Sequence, residues 1–235
     1  MQPEWLHLRR KISFILLGLI LILALLSPLL GIKPNSSFLD FARELYTTHG
    51  YLVAFFGAYL EAILLVSLWL PAPFVVALGS AFSAQGVLNV WLFTTVAIAG
   101  FVAGHFTNYL LGKYAFRKLL LLFGLSREIQ KTTNILSNTS LKQRIIIWAA
   151  SFFHPSGGAL VTTCYGILKL SFKEFLIISI LLNVVWNTFW SAINYQFSEL
   201  ILSTLGSWYI WPIAAFLILL GMLTAGIKID NSIKK

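Results

Sequence analysis

Three ionisable side chains lie within long apolar stretches of this sequence: Glu61, His105 and His154. An ionisable group at membrane depth is costly unless it faces a partner or a water-filled cavity. Because histidine titrates near neutral pH, the three residues are candidates for a proton-coupling cluster. The alternative is structural: Glu61 reaches the outer membrane interface, and both histidines stay neutral and hydrogen-bond to backbone.

A second candidate site follows His154 directly, at Pro155, Ser156, Gly157 and Gly158. Proline fits the first turn of a helix, and small residues leave the N–H groups of a helix start open to a ligand. These five residues are therefore predicted to bind a substrate that carries a phosphate. We predict no catalytic residue, no cofactor and no metal site. The alternative is a tight turn that serves geometry alone.

The composition defines the class of protein that must position these residues. Hydrophobic residues make up 58% of the 235 and charged residues 11%, whereas soluble domains carry roughly 25% charged residues. The net charge of +9 is concentrated beside apolar runs, which favours membrane lipids as partners and excludes nucleic acid. The single cysteine, Cys164, leaves no disulfide or multi-cysteine metal site within the chain. The sequence therefore predicts an integral membrane protein.

Six apolar runs organise the chain. Four are long and uninterrupted enough to span a bilayer, at 12–32, 90–112, 175–197 and 208–227. The other two contain helix breakers: Pro71 and Pro73 interrupt residues 51–86, and Pro155 interrupts residues 145–168. Broken helices at membrane depth need protein or water around their bare backbone. They are predicted to be re-entrant hairpins that enter from opposite faces.

The distribution of charge favours this layout. If both hairpins return to the face they entered from, all seventeen Lys and Arg except Lys33 and Arg43 lie on the cytoplasmic side. The predicted fold class is therefore all-α, with about four spanning helices, two opposed re-entrant hairpins in an inverted repeat, and both termini in the cytoplasm. The segments, in chain order, are an N-terminal spanning helix with an exterior surface helix (1–48), a core (49–197) and a C-terminal spanning helix with a basic tail (198–235). Within the core we predict a hairpin (51–86), a helix (88–112), a basic segment (113–144), a second hairpin (145–168) and a helix (172–197).

Two spacings support this organisation. Residues 86–90 (Gly-Val-Leu-Asn-Val) resemble residues 166–170 (Gly-Ile-Leu-Lys-Leu), and each precedes a full-length helix that contains an Asn-Tyr pair. A hairpin followed by a helix, occurring twice, is typical of transporters built from inverted repeats. Small residues also recur every fourth position at Gly100, Gly104, Asn108 and Gly112, which predicts a smooth face for close helix contact.

Several motifs of the chain resemble those of the DedA family, also called the VTT or SNARE-associated domain. They are Gly50-Tyr51-Leu52, Leu70-Pro71-Ala72-Pro73, Ala84-Gln85-Gly86, Gly104-His105-x-x-Asn108-Tyr109, Phe153-x-Pro155 and the later Gly166, Phe172 and Phe175. The resemblance covers roughly residues 49–197. It implies a membrane protein with two opposed re-entrant hairpins that moves phospholipids or undecaprenyl phosphate between leaflets, often linked to the proton gradient.

The chain resembles a divergent member of this family. Val66 and Val75 stand where acidic residues are usual, and His105 follows Gly104 where the family has Asp. Phe152 and Gly158 occupy the positions of two arginines that flank the proline of the second hairpin. The usual acidic residues and arginines are therefore missing, and His154 could substitute as the cationic partner.

Three functions are compatible with these observations. The first is a transporter or scramblase for phospholipid or polyprenyl-phosphate headgroups, with or without proton linkage, which is not an enzyme. The second is a non-transporting membrane assembly or partner protein. The third is an intramembrane hydrolase in which Ser156 is activated by a histidine. We expect a bacterial or archaeal plasma membrane, with a homodimer left open.

Overall fold

The computed structural model describes residues 36–67, 74–114, 126–153 and 157–205. The predicted spanning helices 12–32 and 208–227 lie outside these ranges, and so do Pro71, Pro73, His154, Pro155 and Ser156. Contacts divide the chain into two units, Arg43–Ile201 and Met1–Ala42 with Leu202–Lys235. The contacts described below all lie within the first unit.

The described residues form helices and turns, with no strand among them. This agrees with the predicted all-α class. In chain order the helices are α1 (Ser36–Ala62), α2 (Leu64–Ser67), α3 (Phe74–Ala84), α4 (Val90–Tyr114), α5 (Ser126–Ser137), α6 (Leu141–Ser151), α7 (Gly157–Ile167), α8 (Phe172–Gln196) and α9 (Ser198–Leu205).

Two of these helices, α4 and α8, are long and apolar enough to cross a membrane. They match the predicted spans 90–112 and 175–197 to within three residues at each end. One side of α8 carries exposed apolar side chains, among them Leu181, Val185 and Phe189. The four-span layout with re-entrant hairpins stays a prediction.

The first broken segment differs in detail from its prediction. The predicted surface helix and the first half of the hairpin form one helix, α1, which bends at His49 (φ −133°, ψ 25°). A second break follows at Ile63, between α1 and the single turn of α2. No proline or glycine lies between Leu60 and Ser67, so the local sequence does not predict this break.

The two halves of the core repeat the same arrangement of helices. Helix α3 has 11 residues and leads through a turn into α4, which has 25. Helix α7 also has 11 residues and leads through a turn into α8, which also has 25. The repeat expected from the sequence is thus visible in the helix lengths, while its inverted orientation in a membrane stays a prediction.

The turns that end α3 and α7 have the same geometry. Gly86 (φ 79°) and Lys169 (φ 52°) each adopt a left-handed conformation just after the helix. In both turns the N–H of the next residue donates to the carbonyl five residues earlier, at 3.1 Å, which is the Schellman pattern. Gly86 therefore corresponds to Lys169 in the structure, three residues beyond the Gly166 that the sequence similarity aligns with it.

Helix α4 lies at the centre of the unit because its small residues allow close contact. A methyl group at Gly100 would lie 2.3 Å from the Phe55 carbonyl oxygen of α1. One at Gly112 would lie 2.2 Å from the Thr163 carbonyl oxygen of α7. Both distances are shorter than any van der Waals contact, so only glycine permits this packing, as the four-residue spacing predicts.

A half-buried polar cluster joins four helices at one end of the unit. Arg144 on α6 and Glu174 on α8 form an ion pair at 3.3 Å, and the Tyr165 hydroxyl of α7 donates to the same carboxylate oxygen at 3.1 Å. Arg144 Nε also donates to the carbonyl of Leu136 on α5 at 3.1 Å. We call this cluster the Arg144 cluster. It links α7 to α5, the helix whose Ile129 carbonyl lies 3.9 Å from Sγ of the buried Cys164 on α7.

Candidate functional site

One face of the spanning helix α8 is polar and buried. Ser179, Asn183, Asn187 and Ser191 follow one another at intervals of four residues, and Asn194 continues the row. Residues four apart share one face of a helix, and none of these five is more than 8% exposed. We call this row the polar face. Its presence inside a helix of membrane-spanning length marks a hydrophilic surface within the protein.

The polar face satisfies only part of its own hydrogen-bonding capacity. The Asn183 amide donates to the Ser179 carbonyl at 2.8 Å, and the Asn187 amide donates to the Asn183 carbonyl at 3.0 Å. Ser191 Oγ and Trp190 Nε1 are buried without a partner among the described residues. A buried polar group without a partner costs about 1–3 kcal/mol. Such groups favour water or a polar ligand beside the helix.

Helix α3 packs along α8 and adds polar groups of its own. Ser80 is fully buried, and its hydroxyl has no partner in the described part of the chain. Ser83 is also buried, but its hydroxyl donates to the Gly79 carbonyl at 2.7 Å. Unpaired hydroxyl groups therefore occur on both of these packed helices.

His105 on α4 completes the network on the polar face. Its Nδ1 lies 3.1 Å from the Asn183 amide nitrogen and 3.4 Å from Ser179 Oγ. The Asn183 nitrogen also donates to a carbonyl, which fixes it as the amide donor, so His105 Nδ1 accepts. The neutral ring then carries its proton on Nε2. Trp148 and Phe152 pack against the ring, each with centroids 6.2 Å away.

The start of α7 brings two of the predicted substrate-binding residues next to His105. Gly157 and Gly158 are buried. A methyl group at Gly158 would lie 3.6 Å from His105 Nε2, which is an ordinary contact, whereas one at Gly157 would lie 2.2 Å from the Ser151 carbonyl oxygen. The close approach of α6 therefore requires glycine at 157 but not at 158. The other members of this candidate site, His154, Pro155 and Ser156, lie outside the described residues.

Glu61 contacts a different part of the structure, the start of α3. It is buried in the last turn of α1, and its Oε1 accepts the backbone N–H of Val75 at 2.9 Å. That N–H belongs to the first turn of α3, where backbone donors have no partner within the helix and a negative charge is stabilised. Within the described residues, no hydrogen bond joins Glu61 to His105. Glu61 thus pairs with the start of α3, and His105 pairs with the polar face.

Asn108, one turn beyond His105 on α4, connects the two broken helices. Its amide nitrogen donates to the Ala62 carbonyl at 2.7 Å, and its Oδ1 accepts the Leu64 N–H at 3.0 Å. The same nitrogen lies 3.4 Å from Thr162 Oγ1 on α7. Asn108 therefore satisfies the backbone on both sides of the break at Ile63 while it contacts the second broken helix.

Sequence reasoning missed the polar face and the bonding role of Asn108. It considered the ionisable groups and the segment 154–158 as candidates for chemistry, and left out the uncharged asparagine and serine side chains of the spanning helices. A usable signal was nevertheless present, because Ser179, Asn183, Asn187 and Ser191 recur every fourth residue within an otherwise apolar run. That spacing places all four on one face, which a helix in lipid must turn inward.

The repeated pair of a short helix and a long apolar helix, with a buried polar face on the second long helix, defines a helical membrane protein with an internal repeat. The family model of the VTT domain matches residues 70–196, which is more than half of the chain. The chain therefore belongs to this family, the DedA family, as its motifs predicted. No curated protein and no solved structure matches the chain.

Proposed function

We propose that this DedA-family membrane protein moves phospholipid or polyprenyl-phosphate headgroups between the two leaflets, as a transporter or scramblase. The observation that carries the proposal is the polar face of α8. A headgroup cannot leave water for hydrocarbon without replacing its hydrogen bonds. Buried amides and hydroxyl groups along a helix of spanning length supply such replacements at successive depths.

The two sides of α8 suit a lipid whose parts need different surroundings. The polar face would accompany the headgroup, and the exposed apolar side chains of the same helix border the hydrocarbon, where the acyl tails would stay. His105 of α4 contacts the polar face and lies beside Gly158, so the predicted substrate-binding segment 154–158 would receive the headgroup near this point. Proton linkage, if present, would involve His105, His154 or Glu61.

The orientation is part of the same proposal. The distribution of Lys and Arg favours cytoplasmic termini in a bacterial or archaeal plasma membrane. The proposed activity makes and breaks no covalent bond. Release of inorganic phosphate from a supplied polyprenyl phosphate would instead support the hydrolase alternative built on Ser156.

The test is lipid movement in proteoliposomes. Vesicles with a trace of fluorescent phospholipid are treated with dithionite, which bleaches label in the outer leaflet only. The rate at which the fluorescence of the inner leaflet is then lost measures the movement of lipid between leaflets. We expect faster loss with the wild-type protein than in empty vesicles. Asn187→Leu should slow it, because leucine has a similar size and no hydrogen-bonding group. Thr188→Leu is the matched control, since Thr188 is the next residue and is exposed.

Each result separates the alternatives. The transport proposal would be contradicted, and an assembly role favoured, if labelled phospholipid and polyprenyl phosphate both crossed the bilayer of vesicles with the wild-type protein no faster than that of empty vesicles. Equal slowing by both leucine variants would show that the polar face is not the route. Protein yield and elution profile in detergent confirm that both variants fold.

A further inference from the structure

We propose that the polar face selects headgroups that carry no net negative charge, so that zwitterionic phospholipids pass and phosphatidylglycerol or polyprenyl phosphate is disfavoured. This inference rests on the proposed function and narrows its substrate. It starts from the distribution of charge in the chain. No Lys or Arg occurs in 44–112, 145–168 or 174–227, which together contain the core's apolar runs.

The described groups along the route are neutral hydrogen-bonding groups. The polar face offers amides and hydroxyl groups. Trp190 of the same helix adds its Nε1 and Ser80 of α3 adds its Oγ, and both atoms are buried without a partner among the described residues. His105 presents a neutral ring, because Nδ1 accepts from Asn183. Such groups can replace the hydration of a phosphate oxygen, but they bring no positive charge to balance it.

Glu61 adds to the selection because it occupies the start of a packed helix. Glu61 is 4% exposed, and its carboxylate accepts from the first turn of α3, the helix that packs along α8. The helix start that would otherwise attract an anion is therefore already engaged by a carboxylate. Attraction and repulsion between charges are stronger in a low-dielectric interior than in water. A headgroup with a net negative charge would therefore find neither a free helix start at α3 nor a lysine or arginine in the core's apolar runs.

A zwitterionic headgroup avoids this penalty because it carries its own cation. Its phosphate can accept hydrogen bonds from the amides of the polar face and from unpaired donors such as Trp190 Nε1. Its ammonium group balances the phosphate charge internally. The neutral composition of the route is then sufficient for a phospholipid of this class.

The first experiment compares headgroups in one vesicle matrix. Trace phosphatidylethanolamine, phosphatidylglycerol and polyprenyl phosphate are assayed separately at fixed matrix composition, the two phospholipids with the same labelled acyl chain. We expect phosphatidylethanolamine to cross at least tenfold faster than either anionic lipid. Asn187→Lys should reduce that ratio to near one or reverse it, whereas Thr188→Lys, on the exposed side, should leave it unchanged. Wild-type movement of an anionic lipid at an equal or greater rate would overturn the inference without affecting the proposed function.

A binding measurement keeps the inference testable if no lipid moves, which would defeat the proposed function itself. The purified protein in detergent is heated with dihexanoylphosphatidylcholine or with dihexanoylphosphatidate at equal concentration. A ligand that binds the folded state raises the melting temperature. We expect a larger rise with the zwitterionic lipid, and a reversed order for Asn187→Lys. An equal or larger rise with the anionic lipid in the wild-type protein would refute the selection.

Discussion

Replacing Asn108 with alanine should destabilise the protein strongly, because this side chain serves the backbone at a helix break. Asn108 is 1% exposed and bonds the Ala62 carbonyl at 2.7 Å and the Leu64 N–H at 3.0 Å. A buried group that loses its only partner costs about 1–3 kcal/mol. Two such groups give a loss of about 2–6 kcal/mol in the free energy of unfolding.

The contact with Thr162 should matter much less. It is long, at 3.4 Å, and side-chain hydrogen bonds between membrane helices average about 0.6 kcal/mol. Thr162→Val is therefore expected to cost under about 1 kcal/mol. Thr95→Ala on the same helix is the control, because Thr95 is exposed and its hydroxyl donates only to the Trp91 carbonyl within α4.

The measurement is the melting temperature of the purified protein in detergent. At about 2–4 °C per kcal/mol for a chain of this length, Asn108→Ala should lower the midpoint by roughly 4–24 °C. The two threonine variants should stay within about 4 °C of the wild type. A midpoint for Asn108→Ala within that same margin would refute the reasoning, since it would show that the break at Ile63 does not depend on Asn108.

Three further predictions concern the contacts of the two turns and of α7. Gly166→Ala should lower the free energy of unfolding by about 1–3 kcal/mol. Its methyl group would lie 2.0 Å from the Tyr109 carbonyl oxygen, a backbone atom that cannot rotate away. An unchanged melting temperature would contradict the close packing of α4 on α7. Gly86→Ala should cost about 1–2 kcal/mol from its left-handed conformation alone, since no atom lies within 4 Å of the added methyl group; a larger loss in the same assay would point to a contact that the geometry does not show. Cys164 is buried and free, so it should react slowly with maleimide in the folded protein. The reaction should be several times faster in Glu174→Ala, because this change removes the ion pair of the Arg144 cluster. Equal labelling rates would show that the cluster does not hold α7 in place.

The sequence was sufficient to predict the two long helices that the structure describes, α4 and α8. Runs of about 20 apolar residues specify spanning helices because the bilayer fixes their length. Helices α4 and α8 accordingly begin and end within three residues of the predicted bounds. Proline interrupts a helix because it removes a backbone donor, and the interruptions predicted at Pro71, Pro73 and Pro155 lie outside the described residues. These are local properties, and a single sequence displays them.

The break at Ile63 could not be predicted, because its cause lies elsewhere in the chain. The residues around it are good helix formers, and the partner that satisfies the freed backbone is Asn108, 44 residues away from Leu64. The alignment of the two turns failed for a related reason. Lys169 adopts the left-handed conformation that a sequence rule assigns to glycine, so the glycine of the second half sits in the helix at Gly166 instead.

The candidate site was predictable only in part. Depth and charge identified Glu61 and His105, but not which neighbours they meet: the start of α3 for the first, and the polar face for the second. Hydrogen-bond partners depend on how helices rotate against each other, which the periodicity of one helix does not determine. The polar face could have been predicted from its four-residue spacing if the uncharged side chains of this helix had been considered as candidates.

The two long helices of the repeat have the same length and different surfaces, and this difference assigns them different roles. Helix α4 presents glycine to α1 and α7, with backbone contacts too close for any other residue at Gly100 and Gly112. Such packing permits little sliding, so α4 is the fixed centre of the unit. Helix α8 presents amides and hydroxyl groups, and its Ser191 Oγ and Trp190 Nε1 have no partner in the described residues. Polar surfaces that retain unused hydrogen-bonding capacity can exchange partners, so the proposed passage for a headgroup would follow the polar face of α8 rather than the glycine contacts of α4 with α1 and α7.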